Sequence, residues 1–151
     1  MKSILLGILF LCAAARAFGQ SLPVKEGLWE TIVYDDDGAP GMRLLNCVTQ
    51  KTFAEAIAKA NTRPGCKVAA QNITSHGMTI DVSCSRPDVE TSVHQVVELA
   101  DSEHTRGTTT MKMVYKGKSG DSTTKSSSHF VKSDCGKLKP GDRPVMIEEK
   151  Q

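Results

Sequence analysis

Aromatic side chains are scarce in this chain of 151 residues, which has one Trp, two Tyr and four Phe. The hydrophobic core therefore has to come mainly from Val, Ile, Leu and Met. Long apolar runs are also absent beyond the first 19 residues, whereas a membrane-spanning helix needs about 20 apolar residues. The sequence therefore predicts no transmembrane segment. A thin core in a small domain is commonly supplemented by disulfides.

An excess of one charge is missing as well. Residues 1–19 contain Lys2 and Arg16 and no acid, so residues 20–151 hold 17 basic and 17 acidic side chains. Nucleic-acid-binding domains are usually strongly basic. The balanced charge predicts no nucleic-acid partner and no electrostatic attachment to a membrane surface.

The motifs of common catalytic and metal sites are missing too. The chain has no Gly-x-Ser-x-Gly elbow and no Cys-x-x-Cys, and its four histidines, at 76, 94, 104 and 129, do not show a His-x-x-x-His spacing. We therefore predict no enzymatic activity, no cofactor, no catalytic residue and no metal ligand. Met111 and Met113 would place two thioethers on one strand face, which Cu(I) favours. Methionines at this spacing are more often core filler.

An export signal is present at the N-terminus. Lys2 precedes an apolar run from Ile4 to Leu11, and small residues follow up to Gly19, which is the three-part layout of a secretory signal. Cleavage is predicted after Gly19, with Ala17 as the alternative. Leu11 in front of Cys12 disfavours a lipoprotein. The sequence predicts a periplasmic or secreted product.

Four cysteines remain after this signal, an even number that predicts two disulfides in an oxidising compartment. Cys66, Val68 and Ala70 alternate with polar or small residues, as do Ile80, Val82 and Cys84 after the turn at residues 74–77. Folding the chain about residue 75 pairs these residues on one face, in the order Cys66 with Cys84, Val68 with Val82 and Ala70 with Ile80. The first bridge is therefore Cys66–Cys84. Elimination leaves Cys47–Cys135.

Period-two alternation and turn residues predict an all-β fold with one short helix. The helix is predicted from Thr52, the N-cap of a capping box with Glu55, to near Asn61. Short connections, including a turn at residues 116–121, favour an antiparallel meander that forms a strongly curved sheet or a small barrel. The predicted strands cover residues 28–34, 42–48, 66–71, 78–84, 91–99, 109–115 and 123–132.

Domain boundaries follow from the same features. Residues 1–19 are the predicted signal peptide, residues 20–136 a single disulfide-bonded domain, and residues 137–151 a flexible tail rich in Gly, Pro and charge.

Several short segments together resemble a known family. They are Glu26-Gly27-Leu28-Trp29-Glu30, Asn46-Cys47-Val48-Thr49, Gly65-Cys66-Lys67-Val68, a strand ending in Cys84, Thr108-Thr109-Thr110-Met111-Lys112-Met113, and Ser133-Asp134-Cys135. Over residues 23–136 the chain resembles the bacterial exported family known as domain of unknown function 3617. The resemblance implies a Gram-negative periplasmic setting and an all-β fold, and it implies no catalytic residues. Few Gly-Met repeats lie between the first strands, and the tail after Cys135 has no counterpart in the pattern.

Gly27-Leu28-Trp29 also resembles the Gly-x-Trp of lipocalin-like barrels, in which the Trp packs across the closed end. These observations favour a non-enzymatic binding module for a small apolar or amphiphilic ligand, or for an envelope protein. Its cavity would be lined by Trp29, Val97, Met111 and Met113. The alternative is a periplasmic copper carrier or a small envelope enzyme, which would need a converging polar cluster.

Overall fold

The computed structural model describes residues 22–52 and 64–147, and almost all of this part of the chain is β-structure or turn. The strands pair antiparallel throughout, as the sequence predicts. They are, in chain order, β1 (Gly27–Tyr34), β2 (Pro40–Val48), β3 (Cys66–Thr74), β4 (Gly77–Arg86), β5 (Val89–Leu99), β6 (His104–Tyr115), β7 (Lys118–Lys132) and β8 (Val145–Met146).

One eight-stranded sheet contains all of them, in the order β3-β4-β5-β6-β7-β1-β2-β8. Strands β3 to β7 form a meander of hairpins. Strand β1 then joins the far side of β7, so that Thr31 lies opposite Ser128. Within the described residues no pairing joins β3 to β8. Of the two predicted forms, the structure is therefore an open curved sheet.

The sheet curls strongly onto one of its faces. Trp29 of β1, Val48 of β2 and Met78 of β4 pack in one cluster, although β4 lies five places from β2 in the sheet. Cross-strand partners share a face, so the strand registers assign the other residues. We call the face that carries Trp29 and Met78 the inner face and the opposite one the outer face.

A short N-terminal arm, residues 22–26, crosses one end of the inner face. Leu22 and Val24 are buried in the core cluster. The backbone N–H of Lys25 donates to the carbonyl oxygen of Ser102 at 2.9 Å, and the side-chain amide of Gln50 donates to the carbonyl oxygen of Leu22. The arm therefore closes this end of the curled sheet.

Strand β1 can approach β7 closely because its first residue is glycine. A Cβ at Gly27 would lie 2.3 Å from the carbonyl oxygen of Lys132, and its φ is 146°. Any side chain at this position would push β1 away from its neighbour.

The β3–β4 hairpin keeps the predicted register over its first half only. Cys66 lies opposite Cys84, and Val68 lies opposite Val82. The predicted pair of Ala70 with Ile80 is wrong, because a bulge after Val68 shifts the register by one residue and places Ala70 opposite Asp81. Gln71 takes the position opposite Ile80.

Both predicted disulfide pairings occur in the structure. Cys66–Cys84 bridges β3 and β4 within the hairpin, across a sequence separation of 18. Cys47–Cys135 joins the end of β2 to the segment after β7, across a separation of 88. The second bridge ties the last part of the chain to the closed end of the sheet.

The helix start differs from the prediction. Helical backbone begins at residue 50, and Thr49, not Thr52, is the N-cap. The N–H of Thr52 donates to Oγ1 of Thr49 at 3.2 Å, and the N–H of Thr49 donates to Oγ1 of Thr52 at 3.0 Å. This reciprocal pair is a capping box with threonine at its third position. The rest of the predicted helix, to Asn61, lies outside the described residues.

Two further segments differ from expectation. The turn predicted over residues 116–121 is only the two-residue turn Lys116–Gly117, in which both residues have positive φ, and β7 begins at Lys118. The stretch predicted as a tail contributes β8, whose Val145 lies opposite Leu45. No helix among residues 22–52 and 64–147 has the length and apolar character needed to cross a membrane.

Candidate ligand-binding pocket

A pocket of about 230 Å³ opens on the inner face beside the N-terminal arm. Strands β1, β2, β5, β6 and β7 contribute to it because the sheet curls around this point. None of its twelve described lining residues is charged. They are Leu22, Val24, Trp29, Thr31, Asn46, Val48, Gln95, Val97, Thr105, Gly107, Ser126 and Ser128.

The base of the pocket is apolar and tightly packed. Trp29 is 3% exposed, and its ring forms a T-shaped pair with that of Phe130, with 6.1 Å between ring centroids. The indole N–H donates to the carbonyl oxygen of Lys25 at 2.9 Å, so the ring orientation is fixed by the arm. Leu22 and Val48 complete this base. Such a surface favours an apolar group of a ligand.

The wall above the base is lined by hydroxyl and amide groups. Thr31 and Ser128 share a hydrogen bond of 2.8 Å between β1 and β7. Asn46 is different, because its side-chain oxygen is buried and accepts no hydrogen bond from the described residues. A buried polar atom without a partner is destabilising. A ligand with a hydrogen-bond donor could satisfy this oxygen.

Glycine at position 107 leaves room in this wall. A Cβ there would lie 2.5 Å from Oγ of Ser126. The backbone at Gly107 has no unusual φ, so space within the pocket is the feature that a side chain would change.

The four residues predicted to line a cavity lie in two places. Trp29 and Val97 line the pocket. Met111 and Met113 lie farther along β6 on the inner face, 40% and 44% exposed, and do not line it. The polar wall, including Asn46, could not be predicted from the sequence, because serine and asparagine side chains give no hydrophobic alternation to mark their face.

On the outer face, the structure assembles a polar cluster that the sequence did not reveal. Glu30 is 8% exposed and binds Arg43, with the guanidinium Nε–H donating to its carboxylate at 2.6 Å. Nε2 of His129 lies 3.6 Å from the same carboxylate. The three residues come from neighbouring strands, and they satisfy a carboxylate that burial would otherwise destabilise.

The outer face continues at the β5–β6 turn, next to His129. The N–H of Glu103 donates to Asp101 at 2.7 Å, and Nδ1 of His104 lies 3.0 Å from the same carboxylate. The hydrogen bond from Glu103, which has the larger effect, and that from His104 lower the pKa of Asp101 below its ordinary value. Within the described part of the chain, no three His, Cys, Asp or Glu side chains gather closely enough to hold a metal ion.

Comparison with known proteins gives one match. The model of a family described as "Protein of unknown function (DUF3617)" matches residues 24–135, which include the N-terminal arm from Val24, seven strands and all four bridging cysteines. No curated protein and no solved structure matches the chain.

Proposed function

Because the chain belongs to the family of unknown function DUF3617, whose description assigns no activity, we propose a function from the pocket itself. The protein is a non-enzymatic binding module of the cell envelope that holds a small apolar or amphiphilic ligand on the inner face of its sheet.

The observation that supports this proposal is the combination of an apolar base with a buried oxygen of Asn46 that has no described partner. Pockets that bind small molecules are typically apolar with a few placed polar groups. An apolar cavity of about 150 Å³ can hold benzene. The volume of about 230 Å³ therefore suits a single ring or a short length of alkyl chain.

The proposed compartment is the periplasm or the extracellular space. Residues 1–19 have the layout of a secretory signal. Two disulfides persist in oxidising compartments and are rare in the cytosol. Intact-mass measurement of the exported protein tests this part, and we expect a mature N-terminus at Gln20.

Ligand binding in the pocket is tested by filling the pocket while leaving the buried side chains at its base unchanged. We expect octan-1-ol to change the fluorescence of Trp29, the only Trp, because this ring lines the base. Gly107→Val fills the wall beside Ser126 and should abolish the change. Gly120→Val is the matched control, since a Cβ there meets no atom within 4 Å and Gly120 lies opposite Met113, away from the pocket.

Thermal melts of both variants establish that they are folded. The proposal is contradicted if octan-1-ol binds the folded Gly107→Val protein as tightly as it binds the parent. It is also contradicted if saturating octan-1-ol leaves the Trp29 fluorescence of the parent unchanged.

A further inference from the structure

The apolar surface of the inner face continues well past the pocket. Val82, Val93 and Met111 lie directly opposite one another across β4, β5 and β6. Ile80 packs against the core cluster and connects this row to the pocket. On β5 and β6 the polar residues Gln95 and Thr109 lie opposite each other between the pocket and this row, so the apolar connection runs along β4. We call this surface the apolar stripe, formed by Ile80, Val82, Val93, Met111, Met113 and Tyr115.

The end of the apolar stripe farthest from the pocket is exposed to solvent. Met111, Met113 and Tyr115 are 40%, 44% and 48% exposed. All three are large side chains on the same face of one strand. Contiguous exposed apolar surface of this kind commonly marks a binding site.

The stripe ends in positive charge. In the last inner-face row of the sheet, Arg86 lies opposite Val89, Val89 opposite Tyr115, and Tyr115 opposite Lys118. Two of these four described residues are cations and none is an acid. Nζ of Lys116, in the adjoining turn, lies 5.3 Å from the centroid of the Tyr115 ring. Asp88 is the one acid in the two turns that adjoin this row, whereas Asp35, Asp36 and Asp37 lie in the β1–β2 turn, which follows Tyr34 opposite Lys125 and not opposite Lys118.

The length of the inner face can be compared with that of a lipid chain. At about 3.4 Å per residue in an antiparallel strand, Gly107 in the pocket wall lies roughly 20 Å from Met113 on the same strand. An extended chain of 16 carbons is roughly 20 Å long, whereas the disordered chains of a bilayer core, two of which span about 30 Å, are shorter. A chain laid along the inner face with its methyl end at Gly107 would cover the apolar stripe and end near Met113, which places its head group one inner-face row, roughly 7 Å, before Arg86 and Lys118.

We propose that the ligand is an anionic amphiphile with a single long acyl chain, bound tail first in the pocket with its head group beside Arg86 and Lys118. This inference rests on the proposed binding function and specifies its ligand class. The neutral pocket, the apolar stripe and the cationic row match the three parts of such a molecule, in order along the inner face.

The first test compares chain lengths on the mature protein. Octanoate and hexadecanoate are titrated below the concentrations at which they aggregate, with binding followed by Trp29 fluorescence and by equilibrium dialysis. Each pair of methylenes that leaves water should tighten binding on the order of tenfold. We therefore expect hexadecanoate to bind far more tightly than octanoate. Equal affinities would overturn the inference.

The second test places a charge within the stripe. Met111→Glu should weaken hexadecanoate binding by at least about tenfold, because part of the chain would no longer leave water. Val114→Glu is the matched control, since Val114 is 38% exposed on the opposite face of the same strand. Binding of octan-1-ol, which needs only the pocket, should be unchanged in both variants. If the parent protein does not bind octan-1-ol, the proposed function itself is contradicted. If Met111→Glu and the parent bind hexadecanoate equally tightly, only this inference is contradicted.

The third test concerns the head group. The parent should bind hexadecanoate more tightly than hexadecyltrimethylammonium, and Arg86→Glu combined with Lys118→Glu should reverse that preference. Lys67→Glu combined with Lys112→Glu, on the outer face, is the control. Equal affinity of the parent for the two amphiphiles would overturn the inference. The inference would also be overturned if the protein sedimented with anionic phospholipid vesicles but took up no hexadecanoate, because the apolar stripe would then dock on a membrane surface.

Discussion

Trp29 joins three parts of the molecule through one side chain. It packs in the core cluster, contacts Phe130 of β7 and donates its indole N–H to the N-terminal arm. We expect Trp29→Ala to lower the free energy of unfolding by about 3–5 kcal/mol, as for other buried aromatic residues. This is a large part of the roughly 5–15 kcal/mol that stabilises a typical domain. Thermal and denaturant melts measure it.

Tyr115→Ala is the control for this prediction, because Tyr115 is an aromatic residue that is 48% exposed. Its loss should lower stability much less. A parent protein whose Trp29 fluorescence is red-shifted and freely quenched by iodide would contradict the packing described above.

The Glu30–Arg43 pair is a second residue-scale feature with a measurable effect. The Glu30 side chain is 11% exposed, so removing its partner by Arg43→Met leaves a buried carboxylate with less compensation. We expect a loss of about 1–3 kcal/mol in the free energy of unfolding. Adding Glu30→Gln should recover part of it, which a double-mutant cycle measures.

The exposed pair Lys25–Glu103, with side chains 51% and 42% exposed, is the comparison. Glu103→Gln should change stability by less than about 1 kcal/mol, because surface pairs are weak. Equal effects of Arg43→Met and Glu103→Gln would show that Glu30 is solvated in the folded protein.

At the scale of elements, the two disulfides should contribute unequally. In the chain-entropy model a bridge stabilises more when it closes a longer loop, giving about 3 kcal/mol for Cys66–Cys84 and about 4.5 kcal/mol for Cys47–Cys135. Replacing both cysteines of a pair by alanine should therefore be more damaging for Cys47–Cys135. Denaturant unfolding of the two double variants tests the order, and peptide mapping that joins Cys47 to Cys66 would contradict both bridges.

Strands defined by local alternation could be predicted from the sequence, whereas the position of the bulge and the N-cap of the helix could not. The Cys66–Cys84 and Val68–Val82 rows follow from period-two spacing. The bulge after Val68 does not, because Ala69 and Ala70 are small residues that fit either face. Thr49 and Thr52 are both suitable N-caps, and only the hydrogen bonds identify Thr49.

At the scale of the whole molecule, sequence patterns predicted the strands of the meander but not the pairing of β1 with β7. The pairing of β1 with β7 joins residues such as Thr31 and Ser128, which are 97 positions apart, and no local pattern specifies such a partner. The pocket lies across this junction. Trp29 and Val97 could be predicted to line it from their hydrophobic strands, whereas Ser126, Ser128 and Asn46 could not.

The same β1–β7 junction sets an order of folding events for a chain whose N-terminus appears first. Strand β1 leaves first, yet its partner β7 is almost the last strand to appear, and non-local pairing is intrinsically slow. The β3–β4 hairpin can form and oxidise while Cys47 still has no partner, because Cys135 follows β7. The native bridge of Cys47 therefore cannot form until Cys135 has appeared, and its formation marks the completion of the native sheet.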